Sequence, residues 1–188
     1  MSTTGWVILA IVVGVVVVAA IAGMAYWRSR RTTALRERFG SEYDRTLGAR
    51  GSRRDAEQEL RKREERYGSL EIRPLSEESR QRYAGEWDRA EQMFVDDPEL
   101  AARSADRVVR DVLQERGFPH DDLDEQAAAI SVERPDIVQR YRHGHEMVES
   151  NGASRDQRTE NLRKAMVDFR AVFVAMTTPE RDDEVAAR

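Results

Sequence analysis

The chain has 188 residues, with 31 basic and 35 acidic side chains and a formal net charge of −4 at pH 7. It contains no cysteine, which excludes disulfide frameworks, thiol nucleophiles and thiolate metal sites. Charge is unevenly spread, because residues 28–66 hold 13 basic and 8 acidic residues whereas the remainder is acidic. An acidic main part is unsuited to binding phosphates, so we expect no nucleic acid among the partners.

Residues 6–27 form an uncharged run rich in Val, Ile and Ala. At about 1.5 Å of rise per residue, a helix of this length just spans a hydrocarbon core of roughly 30 Å. The run therefore predicts a single transmembrane helix with membrane lipid as a partner, preceded by a short extracytoplasmic tail over residues 1–5. Aromatic and positively charged residues flank such spans at the headgroup level. The predicted membrane-interface residues are Trp6, Tyr26, Trp27, Arg28, Arg30 and Arg31.

The charges around this run predict its orientation. Three arginines follow it within residues 28–31, and no basic residue precedes it. The positive-inside rule then places the amino terminus outside the cell membrane and residues 28–188 in the cytoplasm. An exported protein is the alternative, since Ala20-Ile21-Ala22 offers a cleavage-like site, but the missing basic n-region and the long apolar run favour an uncleaved anchor.

Residues 28–67 are predicted to form a basic juxtamembrane helical stalk. Apolar residues recur every four positions from 35 to 47, which indicates one helix with a single apolar stripe. Residues 53–66 are helical but polar, as is typical of a solvated stalk. The stalk is interpreted as a spacer between membrane and bundle. The alternatives are that the stripe packs back on the bundle, or that the stalk or the transmembrane helix pairs with a second copy in a coiled-coil homodimer. The stripe consists of Leu35, Phe39, Tyr43 and Leu47.

Residues 68–177 are predicted to form a compact, all-α, up-and-down helical bundle, followed by a flexible tail over residues 178–188. An extended connector ends at Ser76, a good N-cap for a helix over about 77–95. The next helix begins at Pro98 and ends before Gly117, since proline suits the first helical position and glycine the C-cap.

Three further helices complete the predicted bundle. Asp121 or Asp122 caps a short helix that runs to Ile130, and Pro135 opens another that Gly152 closes. The last helix, about 156–176, has apolar residues at alternating spacings of four and three, which is typical of a bundle core. The residues predicted to share one core are Trp87, Phe94, Val108, Val112, Tyr141, Phe169 and Phe173.

No catalytic, metal or cofactor site is predicted. His143 and His145 are two positions apart, so on a helix they point about 200° away from each other and cannot hold one ion together. The acidic residues at 121–125 lack the glycine and the spacing of a calcium loop, and are explained by negative charge at a helix start. Nucleotide-binding, zinc-protease and nucleophile-elbow motifs do not occur.

The chain resembles an uncharacterised family of bacterial hypothetical, secreted and membrane proteins over about residues 35–174. This resemblance implies an amino-terminal transmembrane helix followed by one all-helical soluble domain, and it implies no activity, cofactor or catalytic residue. The stretches that carry it are LRERFGSEYDRTL, LEIRPLSEESRQRYAGEWDRAEQMFVDDPELAARSADRVV, RGFPHDDLDEQAAAISVERPDIVQRYRHGHEM and LRKAMVDFRAVF.

These observations together favour a membrane-anchored cytoplasmic domain that acts as a non-enzymatic protein-interaction or scaffolding module, with a protein partner of unknown identity. The alternative is a small-molecule sensor or an enzyme with a site inside the bundle. A polar concave pocket within the bundle would favour the alternative, whereas a filled core with a surface groove would favour the interaction module.

Overall fold

The computed structural model describes residues 3–120, 122–150 and 154–179, with side chains except over residues 3–12 and at positions 17, 21, 25, 28 and 29. In these ranges the chain forms eight α-helices and no strand, which confirms the all-α prediction. The helices are α1 (Thr3–Phe39), α2 (Ser41–Arg50), α3 (Arg53–Tyr67), α4 (Glu77–Met93), α5 (Pro98–Arg116), α6 (Leu123–Glu133), α7 (Val138–Glu149) and α8 (Arg155–Thr177).

Helix α1 is continuous from the apolar amino-terminal run into the folded domain. Its apolar side chains are exposed at Val13 and Val18, whereas Leu35 and Phe39 near its end are buried. Among the residues described, no helix reaches the length and apolarity that crossing a membrane requires. The transmembrane helix predicted over residues 6–27 is therefore not supported by the structure.

The predicted stalk is not a solvated spacer. Phe39, Tyr43 and Leu60 are fully buried, and they belong to the same hydrophobic core as the residues of α4–α8. Helices α2 and α3 pack on each other, and α3 also packs on α6. The alternative in which the stripe packs back on the bundle is therefore correct, because α2 and α3 bury a narrow apolar face while most of their charged residues, Glu42 excepted, stay at the edge.

The stripe from Leu35 to Leu47 also lies on two helices rather than one. Gly40 has φ of +49°, in the left-handed region that residues with a side chain rarely adopt, and it separates α1 from α2. The chain reverses at this point, so that Phe39 and Tyr43 meet the core from two helices. The apolar residues keep their four-residue spacing across this break, so the apolar pattern of the sequence does not reveal that the helix ends there.

Helices α4 and α5 agree with the prediction. Ser76 accepts a hydrogen bond from the Ser79 N–H at the start of α4, and Asp97 accepts one from the Leu100 N–H at the start of α5. Gly117 ends α5 with φ of +102°, and a Cβ there would lie 2.9 Å from the Glu71 carbonyl oxygen. Glycine is thus required at this position by conformation and by space.

The entry to α7 differs from the prediction. Helix α7 begins at Val138, because residues 134–137 form a turn in which the Ile137 N–H donates to the Arg134 carbonyl at 3.1 Å. The Arg134 guanidinium binds the Asp136 carboxylate through two nitrogens, at 3.0 and 3.1 Å, across this turn. Pro135 therefore lies in a turn and does not open the helix. Gly152, predicted to close α7, lies outside the described residues.

The core is filled where α4, α5, α7 and α8 meet. The Trp87 and Phe173 rings stack with centroids 4.9 Å apart, and Val112, Tyr141 and Phe169 are at most 1 % exposed. The predicted core residues are thus buried, except Phe94, which is partly buried and packs against the core.

Candidate functional site

The predicted membrane-interface residues lie on α1, outside the core. Tyr26 and Trp27 are exposed, and the Arg30 and Arg31 guanidinium carbons lie 5.1 and 3.2 Å from the centroids of the Tyr26 and Trp27 rings. Each arginine is one helical turn beyond its aromatic partner, so the contact follows directly from the spacing. The side chains of Trp6 and Arg28 lie outside the described residues.

A polar groove lies on the surface between α4 and α5. It is open to solvent, with a volume of about 490 Å³. At its centre the Glu115 carboxylate accepts hydrogen bonds from Arg82 at 2.6 Å, from the Tyr83 hydroxyl at 2.8 Å and from the Ser79 hydroxyl. The groove is lined by Arg82, Tyr83, Glu86, Asp111, Gln114 and Glu115.

These hydrogen bonds decide what Glu115 can do. The Ser79 hydroxyl first, and then Tyr83 and Arg82, lower the pKa of Glu115, whereas partial burial raises it. A carboxylate held ionised by three donors is a weak proton acceptor, so it is poorly suited to general base catalysis. With Glu86 and Asp111 beside it and Arg82 as the one cation of the lining, the groove is a negatively charged surface.

A second polar cluster is buried between α2, α3 and α7. The Glu42 carboxylate is 1 % exposed, and it accepts from Arg63 at 2.9 Å, from Arg142 at 2.7 Å and from Gln139 at 2.6 Å. Burial lowers the pKa of Arg142, and the neighbouring Glu42 opposes that change. Because the carboxylate has a guanidinium on each side and no access to solvent, this cluster holds three helices together and offers nothing to a ligand.

The two histidines on α7 contact different helices. His143 Nδ1 contacts the Asp168 carboxylate on α8, at the surface. His145 is largely buried between the rings of Tyr141 and Phe169, and its Nε2 lies 3.4 Å from Asp106 Oδ1 on α5. In the part of the chain that the structure describes, no three His, Asp or Glu residues are placed to hold a metal ion.

The acidic residues at 121–125 are partly described. Asp122 caps α6 by accepting from the Asp124 N–H at 2.9 Å, and Glu125 binds Arg66 of α3 at 2.6 Å. Asp121 lies outside the described residues. The described acids of this cluster therefore have structural roles.

The sequence does not predict that the Glu42 and Glu115 carboxylates lie at the centres of these two clusters. Glu42 directly precedes the buried Tyr43 in α2, and Glu115 is three residues after the buried Val112 in α5, so each lies on or beside an apolar helical face. A charged residue at a core-facing position is the signal that indicates a buried or half-buried ion pair. The guanidinium partners come from distant parts of the chain, and nothing in the spacing identifies them.

Comparisons with known proteins do not place the chain in a family. No family model matches it, and the searches of the curated proteins and of the solved structures find no match. The resemblance to the uncharacterised bacterial family is therefore wrong, and what it implied carries no further argument.

Proposed function

We propose that the protein is a non-enzymatic interaction module that binds a protein partner through the groove between α4 and α5. The observation that carries this proposal is the contrast between a filled interior and an open, charged surface groove. Val112, Tyr141 and Phe169 occupy the space between α5, α7 and α8, where a sensor or an enzyme would need its internal site. The groove offers carboxylates at the surface instead.

The lining indicates the chemistry of the partner. Glu86, Asp111 and Glu115 outnumber Arg82, so complementary charge requires a segment with lysine or arginine side chains. Arginine is suited to this role because its planar guanidinium can pair with a carboxylate through two nitrogens. The partner is thus a protein with an exposed basic segment.

The proposal includes a location at the cytoplasmic face of the cell membrane, with the apolar run as a single-pass anchor. Support comes from the sequence of residues 6–27 and from the exposure of Val13, Val15, Val16 and Val18 on α1. Closely spaced exposed valines on a helix need an apolar surrounding, and lipid provides it. Tyr26, Trp27, Arg30 and Arg31 form the boundary towards the headgroups.

A homodimer through α1 is the other association within this proposal. An apolar surface depression on α1 is lined by Gly14, Val15, Val18, Ala19 and Ala22, whose small side chains allow two helices to approach closely. Gly14→Leu should then lower the yield of cross-linked dimer in detergent micelles, whereas Val13→Leu should not. Equal dimer yields for both variants would count against pairing through this depression.

The partner proposal is tested by cross-linking in native membranes followed by co-purification. The double variant Glu86→Lys/Asp111→Lys should lose the partner that the wild type retains, because it reverses the charge of the groove. The matched control is Asp88→Lys/Asp96→Lys, with the same change in charge at exposed positions outside the groove lining. Retention of the partner by both variants would show that the groove is not the binding surface.

Protease treatment tests the location. Added to intact cells, a protease should leave the bundle uncut, and it should cut the bundle once the membrane is opened. Digestion from outside would support the exported alternative instead.

A further inference from the structure

Helices α1 and α3 lie side by side and run in the same direction. The Thr32 hydroxyl donates to the Glu57 carboxylate at 2.7 Å, and six residues further along α1 the Arg38 guanidinium binds the Glu64 carboxylate. Helix α2 runs back between these two contacts, since Arg36 of α1 binds Asp44 near the start of α2 at 3.1 Å. Helices α1, α2 and α3 therefore form a compact three-helix unit with a fixed register, which we call the hairpin.

This register places the turn between α2 and α3 beside the end of the apolar run. Counting four residues back from both Thr32 and Glu57, about 6 Å along each helix, brings position 28 of α1 level with position 53 of α3. Residues 48–54 comprise the end of α2, the bend at residues 51–52 and the start of α3, and together we call them the turn. They lie at the level where the apolar run gives way to arginine. The sequence does not show this, because the two segments are more than twenty positions apart.

Five arginines lie at about this level, and we call this part of the hairpin the basic end. They come from α1 and from the turn, and the side chains of Arg53 and Arg54 are exposed. Three carboxylates lie near them. Asp55 accepts from the Ser52 hydroxyl at 2.7 Å, Glu59 pairs with Arg50 at 2.9 Å, and Glu57 is engaged by Thr32. Positive charge still dominates. The arginines of the basic end are Arg30, Arg31, Arg50, Arg53 and Arg54.

Acidic side chains of α6 lie at the far end of the same hairpin. Arg66, in the last turn of α3, reaches Glu125 of α6, whose first turn also contains Asp124 and follows Asp122. The five arginines of the basic end thus lie where the exposed Tyr26 and Trp27 mark the end of the apolar run. A basic surface at this level is attracted to a negatively charged layer.

We propose that the turn over residues 48–54 binds anionic phospholipid headgroups and, together with Arg30 and Arg31, docks the bundle on the lipid surface. This inference rests on the membrane location proposed above. The occupant is a lipid surface rather than a soluble polyanion, because the register of α1 and α3 brings the arginines close to the level of the aromatic boundary of the apolar run. The hairpin thus places the bundle against the leaflet, whereas the spacer interpretation predicted that the bundle lies away from it.

The test uses the full chain reconstituted in vesicles of phosphatidylcholine, with and without phosphatidylglycerol. Since the chain has no cysteine, Ala49→Cys in the exposed part of the turn gives a single site for an environment-sensitive fluorophore. We expect its emission to shift towards that of an apolar environment only with phosphatidylglycerol, and the shift to weaken as salt is raised.

Two matched double variants locate the effect. Arg53→Gln/Arg54→Gln should lower the ratio of docked to undocked turn by roughly tenfold or more, as expected for two arginines near an anionic surface. Arg89→Gln/Arg155→Gln removes the same charge from exposed positions on α4 and α8 and should leave the ratio unchanged.

The outcomes distinguish a failure of the docking surface from a failure of the proposed membrane location. If the full chain does not associate with phosphatidylcholine vesicles at all, the membrane location fails. If it associates but the fluorophore stays in water with phosphatidylglycerol present, or both double variants respond alike, only the docking surface fails. If soluble polyglutamate without vesicles gives the same emission shift, the turn binds soluble polyanions and the lipid assignment is overturned.

Discussion

Glu42 places a charge where water does not reach, and its network fixes α2 against α3 and α7. Removing one member of a buried ion cluster costs more than the cluster contributes as a whole, because the remaining charges stay buried without a partner. Here Arg63 and Arg142 have side chains only 16 % and 13 % exposed, so neither can turn fully into solvent. A single carboxylate thus decides whether three helices stay together.

Glu42→Gln should lower the free energy of unfolding by about 3–5 kcal/mol, since it leaves the buried Arg142 without its counter-charge and Arg63 with Glu59 alone, at 3.3 Å. Urea unfolding followed by circular dichroism measures this. The control is Glu64→Gln, which breaks an exposed pair with Arg38 and should cost at most about 1 kcal/mol. Similar losses for both variants would mean that solvent reaches the Glu42 cluster.

His145 couples stability to pH. Burial first, and the neighbouring Arg110 second, lower the pKa of His145 from 6.5 to about 4. Between these two values the unfolded chain binds a proton that the folded chain does not, so stability falls as the pH is lowered from 6.5 to 4. Burial raises the pKa of Asp106, opposed by Arg110. That carboxyl therefore acts in the opposite sense, since the folded state takes up its proton first as the pH falls.

His145→Phe should remove the histidine's share of this pH dependence, while its ring still packs between Tyr141 and Phe169. We expect the loss of unfolding free energy between pH 7 and pH 4 to shrink by on the order of 2–3 kcal/mol. The matched variant is His143→Gln, whose side chain is half-exposed, and it should keep the full loss. An undiminished loss in His145→Phe would show that other groups carry the pH dependence.

At the scale of elements, α7 and α8 depend on one close approach. A Cβ on Gly144 would lie 2.7 Å from the Phe169 ring, which is fully buried and cannot move aside. Overpacking of this kind costs typically about 1–3 kcal/mol, so Gly144→Ala should lower the melting temperature. Gly85→Ala on α4 is the matched control. Open space lies around that position, so the variant should gain about 0.5–1 kcal/mol. A stabilised Gly144→Ala would contradict the packing of these helices.

The element scale also shows how far the sequence predicts the fold. Helix α5 is predictable because the Asp97 cap, Pro98 and Gly117 act locally, and the side of α8 that carries Phe169 follows from its own period. The break at Gly40 is not predictable in this way, because the apolar period continues across it. The same holds for the groove, since Glu115 and its donors on α4 are brought together by helix packing that no local pattern encodes.

At the scale of the whole molecule, the hairpin of α1–α3 completes the core of the bundle. Leu35, Phe39, Tyr43 and Leu60 cover apolar residues of the remaining helices. The hydrogen bonds of Glu42 with Gln139 and Arg142 connect these helices to α7. Residues 68–177 therefore do not contain all of the contacts that stabilise them. A fragment that begins after α3 exposes apolar surface and leaves Arg142 half-buried without its carboxylate.

Fragment 68–177 should consequently melt well below fragment 32–177 and aggregate at concentrations where the longer fragment is monomeric. Each large apolar side chain withdrawn from a core of this kind costs about 2–5 kcal/mol, and the hairpin supplies five of them when Tyr67 is included. Calorimetry and light scattering on the two fragments measure the effect. The matched control is 32–177 with Phe39→Ala/Leu60→Ala, which keeps the chain length but removes two of the buried side chains, and its melting temperature should lie between the other two. Equal melting temperatures for 68–177 and 32–177 would mean that the hairpin only rests on a self-sufficient bundle, and α2 and α3 would again be a spacer.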